Sequence, residues 1–276
     1  MPFLSGTTVQ QLTPQKSWLA FLYSVPIGVL GGLMGLGGAE YRLPVLVAVL
    51  KYTPHQAVQL NLAVSLITIL VSLPIRAVAL SLTPILPILP IIFSLIAGAV
   101  ITAFYGATLA KRLSSRQLAQ TIMVLLVAIG VALVVEAFLP QLSSGWLAAD
   151  SNWRIPTGIV FGLGIGLVSS LLGVAGGEVI IPTLIFAFGV DIKTAGTASL
   201  MISLPTVATG LVRYAAQGAF QDRRPLVETV MPMGIGSMMG ALIGGLLVGI
   251  VSTSLLKLML GIILVGSALK IFHHSK

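Results

Sequence analysis

The sequence repeats itself once, and this feature constrains the fold more than any other. When the chain of 276 residues is shifted by half its length, 138 residues, the second half aligns with the first without a gap. Chance produces matches between apolar residues, but not matches at glycine, proline and glutamate in a single register. The identical pairs include Gly28 and Gly166, Gly35 and Gly173, Gly38 and Gly176, Glu40 and Glu178, Pro44 and Pro182, and Ser65 and Ser203. The fold is therefore expected to consist of two equivalent halves.

The composition places both halves in a membrane. Hydrophobic residues make up 57% of the chain and charged residues 8%, with a mean hydropathy of +1.07, whereas a soluble domain carries about 25% charged residues. Several apolar runs reach the roughly 20 residues that a helix needs to cross a bilayer. We therefore predict an all-α polytopic membrane protein that is surrounded by the lipid bilayer and has no separate soluble domain.

The net charge of +8 has two interpretations. In a soluble protein it would indicate nucleic acid, but in a membrane protein basic residues collect in cytoplasmic loops, so no nucleic-acid partner is expected. The chain has no cysteine, which excludes a disulfide framework and a cysteine metal site. The N-terminal residues lack the charge and cleavage pattern of a signal peptide and predict a short tail.

Each half contains the same series of five apolar segments. In the first half (residues 1–139) they span 17–37, 44–52, 56–80, 86–110 and 117–139. In the second half (155–276) they span 155–174, 182–190, 194–216, 226–250 and 255–272, and the linker 140–154 joins the halves. The second segment of each half is too short to cross a bilayer alone and follows a glycine-rich interruption, so each half is predicted to contain one broken segment.

The charged connections predict that the two halves have opposite orientations. Connection 111–116 carries three basic residues and connection 222–224 carries two arginines, whereas their counterparts 250–254 and 80–85 carry no charge. Because basic connections mark the cytoplasmic side, equivalent connections lie on opposite sides and the repeat is inverted. Five crossings per half fit this pattern, as do three crossings plus a re-entrant hairpin. Both arrangements place both termini in the cytoplasm.

The two interruptions, GLGGAEYRLP (35–44) and GVAGGEVIIP (173–182), predict an anion site. Inverted repeats with matching interruptions are typical of secondary transporters, whose substrate site lies near the midplane. Glycine frees the backbone from helical geometry, proline is expected to start the next helix, and the N–H groups at a helix start favour an anion. The alternative is that the glycines only allow tight helix packing. The candidate residues are Gly35, Gly37, Gly38, Ala39, Gly173, Gly176 and Gly177.

A glutamate lies in the same place in each interruption, at Glu40 and Glu178. Ionisable groups inside a membrane are costly and usually functional. A protonated carboxyl group donates a hydrogen bond to a bound anion, so both glutamates are predicted to bind the substrate and to couple its transport to protons. The alternative is that each glutamate caps the start of its helix or pairs with an arginine such as Arg42.

Polar side chains on the helices that follow the broken segments extend the candidate site. Asn61 and Ser65 share one helix face, as do their repeat equivalents Ser199 and Ser203, because residues four apart lie on the same side of a helix. These four side chains are predicted to face the substrate, and the alternative is that they only bind neighbouring helices.

Two arginines, Arg76 and Arg213, lie near the ends of the same helices, one residue away from exact repeat equivalence. They are predicted to guide an anion toward the site. The alternative is that they extend to the lipid headgroups.

The two glycine-rich stretches, each with a proline at the same distance, make the chain resemble the TauE/SafE sulfite exporter family. The family motif is similar to G-x-G-G-G followed four residues later by proline. Here Ala39 replaces the third glycine of the run, and in the second copy Ala175 replaces the first. The resemblance covers essentially the whole chain and implies transport of sulfite or another sulfur-containing anion, such as an organosulfonate, across the bacterial inner membrane. A glutamate after the run is not general in the family, so the backbone site carries over better than a role for Glu40 or Glu178.

We therefore predict a secondary anion transporter that works by alternating access. The alternatives are an uncoupled anion channel, a cation transporter that uses the paired glutamates, and an intramembrane enzyme. The sequence contains neither G-x-x-x-x-G-K-[ST] nor H-E-x-x-H, the motifs of a nucleotide-binding loop and a zinc protease. No catalytic residues, cofactor or metal site are predicted, and homo-oligomerisation stays open.

Overall fold

The computed structural model describes residues 14–109, 131, 134, 145–148, 151–256, 258, 259, 261 and 262. All regular structure in these residues is helical, which confirms the predicted fold class. The main helices are α1 (Pro14–Met34), α2 (Ala39–Pro44), α3 (Pro54–Ala79), α4 (Leu89–Leu109), α5 (Arg154–Leu172), α6 (Gly177–Phe186), α7 (Ile192–Ala216) and α8 (Met231–Leu247). Connection 111–116, almost all of segment 117–139 and most of segment 255–272 lie outside the described residues.

Three short elements extend these helices. The π-helical turn Val45–Val49 continues α2, the 3-10 helix Thr83–Ile88 precedes α4, and the π-helical turn Leu226–Val230 precedes α8.

The helices α3 and α7 begin at equivalent positions in the two halves, at Pro54 and Ile192. The side chain of Thr53 caps α3 by accepting a hydrogen bond from the backbone N–H of Gln56. Its repeat equivalent, Asp191, caps α7 by accepting from the N–H groups of Lys193 and Thr194 at 2.9 and 3.2 Å. An oxygen-bearing side chain at this position satisfies N–H groups that have no partner within the helix. The helix start is thus set by the same local chemistry in both halves.

The predicted starts of the two short helices are wrong. The sequence suggested that Pro44 and Pro182 start the short helices, but α2 begins at Ala39 and α6 begins at Gly177. Pro44 is the last residue of α2, and Pro182 lies inside α6. A glycine at the preceding position in each half starts these helices, so the prolines only remove one amide donor from a helix that has already begun.

In each half, the broken segment forms a helical hairpin. After the π-helical turn that continues α2, Tyr52 returns to the start of α1, where Lys16 Nζ lies 3.9 Å from the centre of the Tyr52 ring. After α6, the carbonyl of Phe188 accepts a hydrogen bond of 3.1 Å from Arg154 Nη2 at the start of α5. Lys16 and Arg154 are repeat equivalents. We refer to α1–α2 as the first hairpin, to α5–α6 as the second, and to residues 35–38 and 173–176 as their tips.

The equivalent helices α3 and α7 run in opposite directions along each other. Near the end of α3, Arg76 Nη2 donates a hydrogen bond of 2.9 Å to the carbonyl of Lys193 at the start of α7. Near the start of α3, Gln59 lines a surface cavity of about 40 Å³ together with Phe220, which follows α7. The first hairpin opens beside the start of α3 and the second beside the start of α7, so the hairpins open toward opposite ends of the bundle. An inverted repeat requires this arrangement, and the orientation of each half in a bilayer stays a prediction.

The first helix of each half packs against the fourth helix of the other half, α1 against α8 and α5 against α4. A side chain at Gly28 of α1 would place its Cβ 2.8 Å from the Cα of Ser237 in α8. A side chain at Gly162 of α5 would place its Cβ 3.0 Å from the carbonyl carbon of Leu95 in α4. Small residues let helix backbones approach closely in membranes. The two pairs of helices are repeat equivalents of each other, as expected for a chain built from two equivalent halves.

The lengths and compositions of the helices fit a bilayer. Five helices of the described residues are long and apolar enough to cross one: Gln15–Met34, His55–Ala79, Thr83–Tyr105, Ile192–Ala216 and Leu226–Leu247. Large apolar side chains point outward along them, including Trp18, Val78, Phe93, Val212 and Ile235. Such surfaces are stable in lipid rather than in water. The protein is an integral membrane protein.

Candidate functional site

The short helix of each hairpin begins at a glycine in the left-handed conformation. Gly38 precedes α2 with φ 71° and Gly176 precedes α6 with φ 79°, and neither helix start has a side-chain cap. A residue with a Cβ loses about 1–2 kcal/mol in this conformation. The first N–H groups of a helix have no partner within it, and they form its positive end. Both tips therefore present backbone donors.

The two tips contact each other in the centre of the bundle. A Cβ on Gly37 would lie 3.5 Å from the Cβ of Ala175, its own repeat equivalent. A Cβ on Gly177 would lie 3.0 Å from the Cα of Leu36 and 3.1 Å from Ser199 Oγ. The starts of α2 and α6 thus approach the same region from opposite hairpins.

Each tip also packs against the long helix of the other half. Gly35 and Gly173 both have positive φ, 80° and 64°. A side chain at Gly35 would overlap the backbone of Gly196 in α7, and one at Gly173 would overlap Val58 in α3. These tight contacts support the alternative in which Gly35 and Gly173 allow close packing of the helices.

Polar side chains of α3 and α7 hold the tips in place. Asn61 Nδ2 donates to the carbonyl of Ala39 at 2.8 Å and to the carbonyl of Gly173 at 2.9 Å, so one amide group joins both breaks. Ser203 Oγ donates to the carbonyl of Ala175 at 2.7 Å. These bonds satisfy the carbonyls of Gly173 and Ala175, which lie between α5 and α6, and they tie the first residue of α2 to α3.

Arg42 fastens α2 to the bundle. Its side chain is fully buried. Nη1 donates to Thr68 Oγ1 at 2.7 Å and to Ser237 Oγ at 3.2 Å, and Nη2 donates to Ser65 Oγ at 3.2 Å and to the carbonyl of Gly37. All four acceptors are uncharged, so Arg42 places a fixed positive charge beside the tips.

The carboxyl groups of Glu40 and Glu178 face each other at this point. They lie within hydrogen-bonding reach of one another, and the Glu40 carboxyl also faces its own backbone N–H. Glu178 is 3% exposed. The guanidinium of Arg42 is near enough to Glu40 to attract its carboxylate. Glu40 thus has the arginine neighbour that the sequence offered as an alternative, and its contact with Glu178 joins the two halves.

Several buried polar atoms at the tips have no hydrogen-bond partner within the part of the chain that the structure describes. In folded proteins the large majority of buried polar atoms have a partner in protein or water. Their concentration at the meeting of the two hairpins therefore indicates a place where a polar ligand or water binds. The atoms are Glu40 Oε1, Tyr41 Oη, Arg42 Nε, Asn61 Oδ1, Glu178 Oε1 and Ser199 Oγ.

Arg76 lies beside the tips, and four of its five N–H donors are used within the protein. It is fully buried, donates to the carbonyls of Gly32 and Leu33 at 2.9 Å each, and binds Thr197 Oγ1 at 3.1 Å besides Lys193. Gly32 and Leu33 lie in the last turn of α1, whose carbonyls have no partner within the helix. In this structure Arg76 joins the end of α1 to the start of α7, and it does not extend to the protein surface.

Arg213 lies far from the tips. It follows Ser199 by 14 residues on α7, which corresponds to about 21 Å along a helix. Its guanidinium carbon lies 4.8 Å from the centre of the Phe104 ring, a distance that suits a cation–π contact. The structure therefore does not bring Arg213 together with the other candidate residues.

The structure thus unites most of the predicted candidates and adds others. Tyr41 and Ser237 were not among the candidate residues, and Arg42 was considered only as a partner of Glu40. Tyr41 and Arg42 lie within the first interruption, 35–44, which is a usable signal. Ser237 lies 195 residues from Arg42, and no local pattern links the two.

The site combines anion-binding and proton-binding groups. Two helix starts, Ser199 and Tyr41 offer donors to an anion, and Arg42 provides charge. Among the described residues, no group of three or more histidine, aspartate or glutamate side chains is placed to hold a metal ion.

Comparison with known proteins places the chain in a family. A family model described as sulfite exporter TauE/SafE matches residues 3–133 and again residues 140–276. No curated protein and no solved structure matches the chain. The two matched stretches together cover nearly the whole sequence.

Proposed function

The chain belongs to the sulfite exporter TauE/SafE family, and we propose that it is a secondary transporter of a small sulfur-containing anion, such as sulfite or an organosulfonate. We further propose that it resides in a bacterial inner membrane with both termini in the cytoplasm. The family suggests the class of substrate, and the basic connections predict the orientation.

The observation that carries this proposal is the meeting of two equivalent helix starts at a buried cluster of unpartnered polar atoms. Glycine at Gly38 and Gly176 keeps these helix starts free of side chains, so the backbone donors are directed at the tips. Discontinuous helices that point their N-terminal ends at an anionic group are a recurrent substrate site in transporters. Sulfite carries several oxygen acceptors in a small volume, which suits converging donors.

The arrangement of the hairpins supports the proposal of alternating access. The first hairpin opens toward one end of the bundle and the second toward the other. Movement of one hairpin relative to the other would therefore open the tips to one end while closing them to the opposite end. Glu40 and Glu178 are proposed to bring protons to the site, which couples anion movement to the proton gradient.

Cation transport is the second candidate function. Three of the unpartnered atoms are oxygens of Glu40, Glu178 and Asn61, and carboxylate and amide oxygens are ligands of hard cations. We favour the anion because the helix starts and Arg42 place positive charge at the same point.

Flux into proteoliposomes tests the proposal. Purified protein is reconstituted, and uptake of sulfite, thiosulfate, isethionate and sodium is followed with and without a pH gradient, with protein-free liposomes as control. We expect sulfur-anion uptake that responds to the pH gradient. Sodium uptake without anion uptake would favour the cation transporter, and anion flux that ignores the pH gradient but follows voltage would favour the channel.

A further inference from the structure

Glu40 and Glu178 bring two carboxyl groups together in the buried centre of the bundle. Their carboxyl groups lie within hydrogen-bonding reach, and each has one oxygen that is buried without a partner. Two ionised carboxylates have only acceptors and repel each other, whereas a protonated carboxyl donates to an ionised one. Carboxyl pairs that share a proton occur in enzymes for this reason. The tips hold the two groups together through Asn61, which bonds to both breaks.

Few other charged groups face the pair. Among the described residues, Arg42 and Tyr41 of α2 interact with it electrostatically, and α3 and α7 present the uncharged Asn61 and Ser199. Arg76 is directed at the end of α1 and the start of α7 instead. A pair with one shared proton carries one negative charge, and the guanidinium of Arg42 carries one positive charge. The cluster is then neutral before an anion arrives.

We propose that Glu40 and Glu178 form a single proton-carrying unit, which shares one proton before the anion binds and takes up a second proton from solution with the anion. A monovalent anion adds one negative charge to a buried site, and such a charge is costly unless it is balanced. The second proton balances it. This coupling ratio of one proton per anion rests on the proposed anion transport, whereas the shared proton of the empty site does not.

Infrared spectroscopy of the anion-free protein tests the shared proton. The C=O stretch of a protonated carboxylic acid is measured near neutral pH in the unmodified protein and in Glu40→Gln, Glu178→Gln and the control Glu228→Gln. Glu228 lies in the π-helical turn Leu226–Val230, outside the site. We expect either site substitution to remove the band that belongs to the pair, because the remaining carboxylate is balanced by Arg42 alone. The control should keep the band.

Retention of the band in one site variant would overturn sharing, because the proton would then belong to a single glutamate. Absence of the band from the unmodified protein would overturn it as well. Neither result depends on which anion the protein transports.

Transport stoichiometry tests the second proton. In proteoliposomes, imposed anion, proton and voltage gradients are balanced until net flux stops, with monovalent isethionate and divalent thiosulfate as probes. We expect one proton per anion, so isethionate flux is indifferent to voltage and thiosulfate carries one net negative charge. A ratio of zero or two for whichever probe moves would overturn this coupling. If neither of these anions nor sulfite moves, the proposed function fails, and with it the coupling ratio, while the infrared result still decides the shared proton.

Discussion

At the scale of single residues, Asn61 is the side chain that bonds to both breaks. Its amide nitrogen satisfies one carbonyl from each break, and Asn61→Ala leaves both carbonyls without that donor. An unsatisfied buried polar group costs about 1–3 kcal/mol, so we expect the variant to unfold at clearly lower temperature in detergent. Thr206→Val is the control, because the buried Thr206 hydroxyl bonds only to the carbonyl of Ile202 in its own helix. Equal stability of the two variants would contradict the bridging role.

Arg76 provides a second test at this scale. Its guanidinium makes four hydrogen bonds, three of them to backbone carbonyls. A lysine ammonium is a compact charge that lacks this planar array of donors, and disrupting a buried charged group costs about 3–5 kcal/mol. We expect Arg76→Lys to lower the thermal stability strongly while the folded fraction keeps its affinity for the anion, measured by calorimetric titration with sulfite. Unchanged stability with weakened affinity would instead favour the predicted role in guiding the anion.

At the scale of the helices, the sequence located the breaks but not the helix starts. The repeated glycines at Gly38 and Gly176 were recognisable as interruptions, and the repeated prolines seemed the natural starts. Proline is common at the first position of a helix, but a helix also begins where a glycine in the left-handed conformation lets the chain reverse. In the folded chain Gly38 lies against Ile27 of α1 and Gly176 lies against Ile165 of α5. These contacts could not be predicted from Pro44 or Pro182.

Gly177 is the position at which the second break can be altered most gently. It is the repeat equivalent of Ala39, so Gly177→Ala makes the two helix starts alike. The added Cβ would lie 3.1 Å from Ser199 Oγ and 3.0 Å from the Cα of Leu36, and overpacking of this kind costs about 1–3 kcal/mol. We expect about 1.4 kcal/mol of this cost to be added to the barrier for transport. Anion uptake should then fall by about tenfold.

The control for this variant is Gly164→Ala. Gly164 lies in α5, and a Cβ there would meet nothing within 4 Å. Alanine is favoured over glycine in helices by about 1 kcal/mol, so uptake should stay unchanged and stability should not fall. If both variants transport equally well, space at the tips does not limit transport.

At the scale of the whole molecule, the half-length repeat made much of the architecture predictable. Repetition of Gly35–Pro44 as Gly173–Pro182 indicated two equivalent broken segments, and hydropathy indicated the long helices. Partners that are distant in sequence were not predictable, because the contact of Arg42 with Ser237 and that of Asn61 with Gly173 arise only when the halves interlock. The repeat specifies that two units exist, while side-chain chemistry at the tips determines how they fit.

The opposite directions of α3 and α7 lead to a test of the whole arrangement. Thr83 and Gln221 are repeat equivalents that follow these two helices, and both are exposed. The native chain has no cysteine, so Thr83→Cys and Gln221→Cys each introduce one thiol that a membrane-impermeant maleimide can label. Because Gln221 adjoins the charged connection 222–224, we expect Gln221→Cys to react from the cytoplasmic side of inner-membrane vesicles and Thr83→Cys only from the opposite side. Labelling of both from one side would contradict the inverted repeat, and with it the mechanism in which two hairpins expose the same tips to opposite sides.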